Sequence, residues 1–413
     1  MSNIEKLAVN GGPKAVGTLK PRFHFGVEEK EAAMRLFDRS IETGNAFGYN
    51  GPEEEALGKE FAEFLGGGYA DGVNGGTNAV FVALRALEPK PFSEVIVGAV
   101  TDAGGMMPIV LNNCIPVVCD TMPGRYNIGP EQVEACITPL TSAIIVPHIG
   151  GEPADIKGIM EVANRHGIPV IEDCAQAHGA KVDGQYVGTF GTYGAFSVMF
   201  GKHFCTGGQG GMVFSKTEAD YWQARRAADR GKPFGIENPS GNVMAAINCN
   251  MDELHAAIGR AQLKKLPGIV AGRRRFVELL MNRGLGELKS ISVPEALPGT
   301  VNSYWWLRLK INENAINCPK NDYFAALSAE GVPISSNYKA ALPSTFPWFQ
   351  DRKNKHPWNN PLCQGDPCRE FHLPNVMKAM EENFLFFILE SWEEEEADMV
   401  IEAFRKLDAA FAK

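Results

Sequence analysis

Between residues 53 and 215 the apolar positions recur with two alternating periods. EEEALGKEFAEFLG (53–66) and TNAVFVALRAL (77–87) carry them at helical spacing. Short β-branched or apolar runs follow: EVIVGAV (94–100), IPVVCD (115–120), SAIIVPHI (142–149), IPVIEDC (168–174), YGAFSVMF (193–200) and GGMVFS (210–215). Helical stretches separate several of them: AGGMMPIVLNNC (103–114), PEQVEAC (130–136) and DIKGIMEVANRHG (155–167). Strand, helix, strand repeated in this way predicts an α/β fold, a mainly parallel sheet flanked by helices on both faces. The crossovers are expected to be right-handed.

DELHAAIGRAQLKKL opens a long amphipathic helix over about 252–285, which Pro267-Gly268 is expected to break or kink. The pattern then changes. SYWWLRLKI (303–311) reads as β-rich, YFAALSAEG (323–331) as a helix ending in Gly, and EEEADMVIEAFRKLDAAF (394–411) as a terminal helix. KNKHPWNNPLCQGDPC (353–368) reads as a long loop. The predicted division is a large domain over 1–270, including an N-terminal segment, and a smaller C-terminal α+β domain over 271–413.

A chain of 413 residues suits about two to three domains, and 45% hydrophobic with 22% charged residues is enough for a large core. Forty Lys and Arg against 49 Asp and Glu leave a net charge of −9. That balance argues against nucleic acid or an anionic membrane as the partner, and for a small molecule or a second copy of the chain. Nine scattered cysteines with no C-x-x-C pair do not form a disulfide framework or a metal cluster, so no metal is expected. The start lacks the apolar run of a signal peptide and no stretch of about 18 apolar residues is present, so a cytoplasmic, reducing setting is expected.

In an open parallel sheet, ligands bind beyond the carboxyl ends of the strands. Collected there are Thr101-Asp102, His148, Glu172 through Gln176, Ser197 and Lys202, all expected on one rim. Lys202 is either a turn lysine or an amine made nucleophilic by a closed cleft, able to form a Schiff base with an aldehyde. Glu172 and Asp173 must point to opposite faces of their strand. The acid that faces the cleft could bind a ribose hydroxyl, ligate a metal, hold a pyridine nitrogen protonated, or simply cap a turn. NGGTNAVFVAL (74–84) opens a helix with small residues, suited either to a phosphate or to a plain N-cap. GGQGG (207–211) lacks the spacing of a phosphate loop, and no G-x-G-x-x-G follows the first strand. A phosphate cradle, an acid at a strand end and a downstream lysine together fit pyridoxal 5′-phosphate.

At these residues the sequence resembles the sugar aminotransferase family named after its DegT, DnrJ, EryC and StrS members, of the fold type I aminotransferase-like architecture. The resemblance runs through FGYNGPEEEALGKEFAEFLG (47–66), NGGTNAVFVAL, YNIGPEQVEACITPLTSAIIVPHIGGEPADI (126–156), IPVIEDCAQAHGAKVDGQYVGTFGTYGAFSVMFGK (168–202), GGQGGMVF and NCNMDELHAAIGRAQL (248–263). It implies that Lys202 carries the cofactor aldehyde as a Schiff base and moves a proton, and that Asp173 pairs with the pyridine nitrogen. Gln176 would lie beside the ring's phenolic oxygen. Gly75, Gly76, Thr77 and Ser197 would form the phosphate site, with Asn248 reaching it from the neighbouring subunit of a homodimer. Asp102 would stand where the family commonly stacks an aromatic on the ring. Further departures are Gly75 for a serine, Gln209 for an acid, and Asn250 for a frequent arginine. The implied substrates are a nucleotide-linked keto sugar or a keto cyclitol, with glutamate or glutamine as amino donor.

Two rival readings share the fold. In related sugar dehydratases the lysine position resembles a histidine; here Ser197 plus five is Lys202, and His203 comes one residue later, which favours transamination. A non-catalytic sensor is the alternative that Asp102 raises.

Overall fold

The computed structural model describes residues 3–413. The helices are α1 (Val27–Thr43), α2 (Pro52–Phe64), α3 (Gly76–Ala86), α4 (Ala103–Leu111), α5 (Pro130–Cys136), α6 (Ile156–His166), α7 (Glu218–Ala228), α8 (Glu253–Asn282), α9 (Lys320–Ala329), the short α10 (Pro347–Gln350), α11 (Pro374–Glu382) and α12 (Glu394–Phe411). Seven strands build the main sheet: β1 (Tyr69–Val73), β2 (Glu94–Gly98), β3 (Ile115–Cys119), β4 (Thr141–Pro147), β5 (Val170–Asp173), then, past the hairpin β6 (Lys181–Val182) and β7 (Gln185–Tyr186), β8 (Tyr193–Ser197) and β9 (Gly211–Ser215). Their order is β1-β9-β8-β5-β4-β2-β3, and only β9 runs antiparallel to its neighbours.

Residues alternate between two apolar layers along the same strands. Val95, Val97, Ile145 and Ile171 enter one core, and Ile96, Ile144, Val146 and Val170 the other. Every residue of β2, β3 and β8 is buried, as a sheet covered on both faces requires. β1 is the strand that periodicity misses. Its sequence, YADGV, is neither alternating nor β-branched, because buried Asp71 is accommodated by the Arg225 guanidinium, 2.9 Å away on α7.

The expected break at Pro267 does not occur. α8 is helical over 30 residues, through Pro267 and Gly268. Packing against α1, α2 and α12 holds it, and tertiary contacts outweigh the lost amide bond. The predicted domain limit at 270 therefore falls inside one continuous helix. Beyond it, β10 (Ile291–Ser292), β12 (Leu307–Ile311), β13 (Ile334–Ser335) and β14 (Asn383–Phe386) form an antiparallel sheet in the order β10-β12-β14-β13. β11 (Thr300–Val301) instead pairs with β6. The core of the antiparallel sheet takes in Leu7 and Val16, so the N-terminal segment packs with the C-terminal elements. The 353–368 segment is a succession of turns, as expected. Among the described residues, no helix is long and apolar enough to cross a membrane.

Candidate active site

The carboxyl ends of β5 and β8 and the N-termini of α3 and α4 converge on a cavity of about 200 Å³. Gly76, Thr77, Asp102, Asp173, Ser197 and Lys202 line it, with Gly104, Gly105, Met199 and Gln209. Glycine is required here by close approach. A Cβ on Gly76 would lie 2.4 Å from the Ser197 Cβ, and one on Gly105 would lie 2.2 Å from Thr101 Oγ1 and 3.1 Å from Asp173 Oδ2. Without side chains at these points, the first turn of α3 reaches Ser197 and the start of α4 reaches Asp173.

α3 begins at Gly75 with no side-chain cap, so its leading amides are presented to the cavity at the positive end of the helix dipole. Together with the Thr77 and Ser197 hydroxyls, they form a donor set suited to a phosphate. Asp102 does something different. It is the N-cap of α4, its Oδ1 accepting the Gly104 amide at 2.8 Å. A carboxylate at this position is explained by the cap it makes.

Alternation along β5 separates two neighbouring acids. Asp173 lies in the cavity wall; its Oδ1 accepts the Ala175 amide at 3.0 Å, and burial raises its pKa against the pull of that amide and of Lys202. Glu172 points to the other side and is fully buried. Its Oε1 accepts the amides of Phe190 and Gly191, at 2.7 and 2.8 Å. Its Oε2 accepts the Gly188 amide at 2.7 Å and His148 Nε2 at 3.0 Å. The Ala154 amide donates to His148 Nδ1, which leaves the ring proton on Nε2. His148, Glu172 and Cys174 are thus close together but face away from the rim that their strand-end positions predict. Both carboxylate oxygens are occupied by N–H donors, and burial keeps the Cys174 thiol protonated. Glu172, itself held by His148, anchors the 188–191 turn to the sheet.

Lys202 is 8% exposed. Burial lowers its pKa to about 8, against the opposing attraction of Asp173 and Asp102. An amine that gives up its proton this readily is a competent nucleophile and proton carrier near neutrality. The same burial lowers His178, in the turn after β5, to about 3, so it stays neutral beside the amine.

Six predicted residues therefore share one cavity: Gly76, Thr77, Asp102, Asp173, Ser197 and Lys202. Three lie outside its wall. Gly75 is the α3 N-cap, its carbonyl accepting the Ala79 amide. Gln176 sits behind the wall, its Oε1 accepting the Gly150 amide at 2.8 Å and its Nε2 donating to the Tyr338 hydroxyl at 3.0 Å. Asn248 is bridged to Asp229 and accepts from Asn250, and is not among the residues lining the cavity. One residue next to Lys202 was not anticipated: Trp305, whose ring lies beside the amine. Only its aromatic run, YWW (304–306), singles it out in the sequence, and that run reads equally as core of a strand.

The model of the DegT/DnrJ/EryC1/StrS aminotransferase family matches residues 28–389. The chain belongs to this family. Aminotransferase activity follows from membership together with its relatives. The chain is 31% identical, over 424 residues, to the L-glutamine:2-deoxy-scyllo-inosose aminotransferase of Streptomyces kanamyceticus, covering 97% of this chain and 96% of that one. It is 29% identical, over 391 residues, to the L-glutamine:scyllo-inosose aminotransferase of Streptomyces griseus, covering 91% of each. Among solved structures, an aminotransferase from Psychrobacter cryohalolentis superposes with a TM-score of 0.81 at 28% identity, over 94% of this chain and 98% of that one. DesV from S. venezuelae, solved with a ketimine intermediate, superposes with a TM-score of 0.78 at 26% identity, over 92% and 94%. The aminotransferase described here thus shares its architecture with the family over nearly its whole length.

Proposed function

We propose that this aminotransferase uses pyridoxal 5′-phosphate to move an amino group from glutamine or glutamate to a keto cyclitol or a nucleotide-linked keto sugar. The observation that carries the reading is the meeting of Lys202, Asp173 and the uncapped start of α3 in one cavity. These residues fit the cofactor group by group. The amides of α3 with Thr77 and Ser197 would hold its phosphate, Asp173 would face its ring nitrogen, and Lys202 would bond its aldehyde carbon. Bound there, the cofactor supplies the electron sink that lets an amino group leave one carbon and join another.

The chain's own residues provide the rest. The Asp173 carboxylate, shielded from water, favours a proton on a facing ring nitrogen. Lys202 Nζ takes up and returns a proton within the cavity, a task matched to its lowered pKa. Gln176, held by Gly150 and Tyr338, adds a fixed polar group behind the wall. The dehydratase reading loses support from His203, which is fully buried outside the cavity with Nε2 donating to the Ser303 carbonyl at 3.1 Å.

A homodimer is part of the proposal. Phe23, Phe25, Val27, Met34, Phe37 and Ile41 are exposed on and before α1, as is Phe200, two residues before Lys202. Large apolar side chains exposed in such number favour a covering partner, and a second copy would bring Asn248 toward the phosphate. The chain would divide along α8, with the segment carrying Leu7 and Val16 grouped with the C-terminal elements it packs on, and the nine free thiols favour a reducing, cytoplasmic setting.

Borohydride reduction of the wild-type protein loaded with pyridoxal phosphate should fix the cofactor on the peptide containing Lys202, and L-glutamine should bleach the bound chromophore. Lys202→Ala should lose both responses while still unfolding in a single cooperative transition. Trapping at another lysine, with undiminished amino transfer, would overturn the assignment.

A further inference from the structure

The chain delivers one more group to the reacting amine, and it comes from far along the sequence. Trp305 lies just before β12, yet its ring centroid is 4.0 Å from Lys202 Nζ. Among the described residues, no carboxylate lies within 4.0 Å of that nitrogen, although Asp173 from β5 and Asp102 from the α4 cap both bear on it. The third titratable group facing it is neutral His178. The amine therefore rests on an aromatic face instead of in an ion pair.

The segment carrying Trp305 is clamped from several sides. The Ser303 and Trp305 amides donate to the carbonyls of Gly151 and Gly150 at 3.0 and 2.9 Å. Fully buried Arg273 of α8 donates to the carbonyls of Tyr304 and Trp305 at 3.0 and 2.9 Å, and is itself paired with Glu390 at 2.9 Å. The Trp305 indole N–H donates to the Gly201 carbonyl at 3.0 Å, tying the ring to the residue preceding the lysine. Between these clamps Tyr304 is held at φ 50°, a conformation that an aromatic residue adopts only when its surroundings impose it. A Cβ on Gly151 would lie 2.5 Å from the Tyr304 amide, so the turn after β4 must be glycine for the strand to approach. Strain and clamping at this point serve to set one ring plane beside one amine.

We propose that Trp305 is a positioning residue: its indole face docks the Lys202 amine whenever that amine is not bonded to the cofactor, holding it at the cavity wall ready for proton transfer. The proposal rests on the reading of Lys202 given above, but its main test does not need the cofactor. A ring face stabilises an ammonium over an amine, whereas burial does the reverse. Removing the ring while keeping the site dry should thus make the amine more acidic.

Competitive acetylation with acetic anhydride across a range of pH, read on the Lys202 peptide by mass spectrometry, measures this in the full-length, cofactor-free chain. Trp305→Leu should shift the titration midpoint of Lys202 down by about one pH unit. Trp305→Phe, which keeps a weaker face and loses the bond to Gly201, should shift it less in the same direction. In the loaded enzyme both should lower kcat more than they raise KM. Trp305→Phe decides the matter if Trp305→Leu does not fold. An unchanged or raised midpoint in the folded variants overturns the proposal. Failure of wild-type protein to retain pyridoxal phosphate would instead refute the cofactor reading and leave the acetylation result standing.

Discussion

Glu172 and Asp173 are adjacent on one strand and serve opposite faces of the sheet. Glu172 gathers three backbone amides and His148 into a buried anchor, while Asp173 stands in the cavity wall with Lys202. One residue apart, one carboxyl group anchors a turn and the other is, in the proposed function, the partner of the cofactor ring. Substitution should separate the two roles cleanly.

Asp173→Asn keeps the shape and can still accept the Ala175 amide, so folding and cofactor retention should persist. Turnover should fall by roughly 10²-fold or more, as when a preorganised electrostatic partner is removed. Steady-state rates beside a dialysis measurement of bound cofactor check this. A near wild-type rate would mean that Asp173 does not face the ring.

Glu172→Gln should act on stability. An amide offers one acceptor oxygen to four N–H donors and sets its own N–H₂ against some of them. The loss should be about 3–5 kcal/mol, the range for breaking a buried charged network. Urea unfolding followed by circular dichroism reads it. A midpoint equal to wild type would show that the 188–191 turn is held by other contacts.

Lys202 should weaken the cofactor-free protein. Its folded pKa of about 8 lies below its unfolded value, so the folded state resists the proton that the unfolded chain accepts. This penalty is fully present below pH 8 and fades as pH rises toward 10.5. Lys202→Met should therefore raise stability at pH 7 by up to about 3 kcal/mol, with the gap closing at high pH. Melting temperatures at pH 7 and at high pH, without cofactor, decide it; a destabilised variant at pH 7 contradicts the sign.

Asp102→Asn retains an N-cap on α4 but removes a negative charge from the cavity. With a phosphate bound nearby, affinity for pyridoxal phosphate should rise by roughly five-fold, about 1 kcal/mol for a charge pair in a solvated setting. Fluorescence titration measures the dissociation constant. Weaker binding would mean that the carboxylate makes a favourable contact with the cofactor instead of a repulsive one.

Much of this site is legible in the residues themselves. Alternation places Glu172 and Asp173 on opposite faces, strand-end position draws Lys202 and Ser197 together, and Gly75-Gly76-Thr77 announces a helix start with open amides. The missed elements have physical reasons. β1 carries Asp71, which is acceptable in a strand only because Arg225 arrives from α7. Pro267 is tolerated because three other helices hold α8 in place. His148 was placed on the rim because strand-end position says where a residue sits along the strand, not which way its ring turns.

The sequence alone determined the local periods, and hence the parallel sheet, the order of the chemical groups along it and the family to which they belong. The periods, the sheet and the order of groups are encoded within a few residues by side-chain spacing and backbone preference, and the family is read from the resemblance of whole motifs. Only tertiary structure decided which acid faces the cavity, that Gln176 stands behind its wall, and that Trp305 reaches Lys202 across 103 positions of chain. Those relationships depend on close packing between distant segments, where a glycine at 151 and an arginine at 273 set the position of a ring at 305.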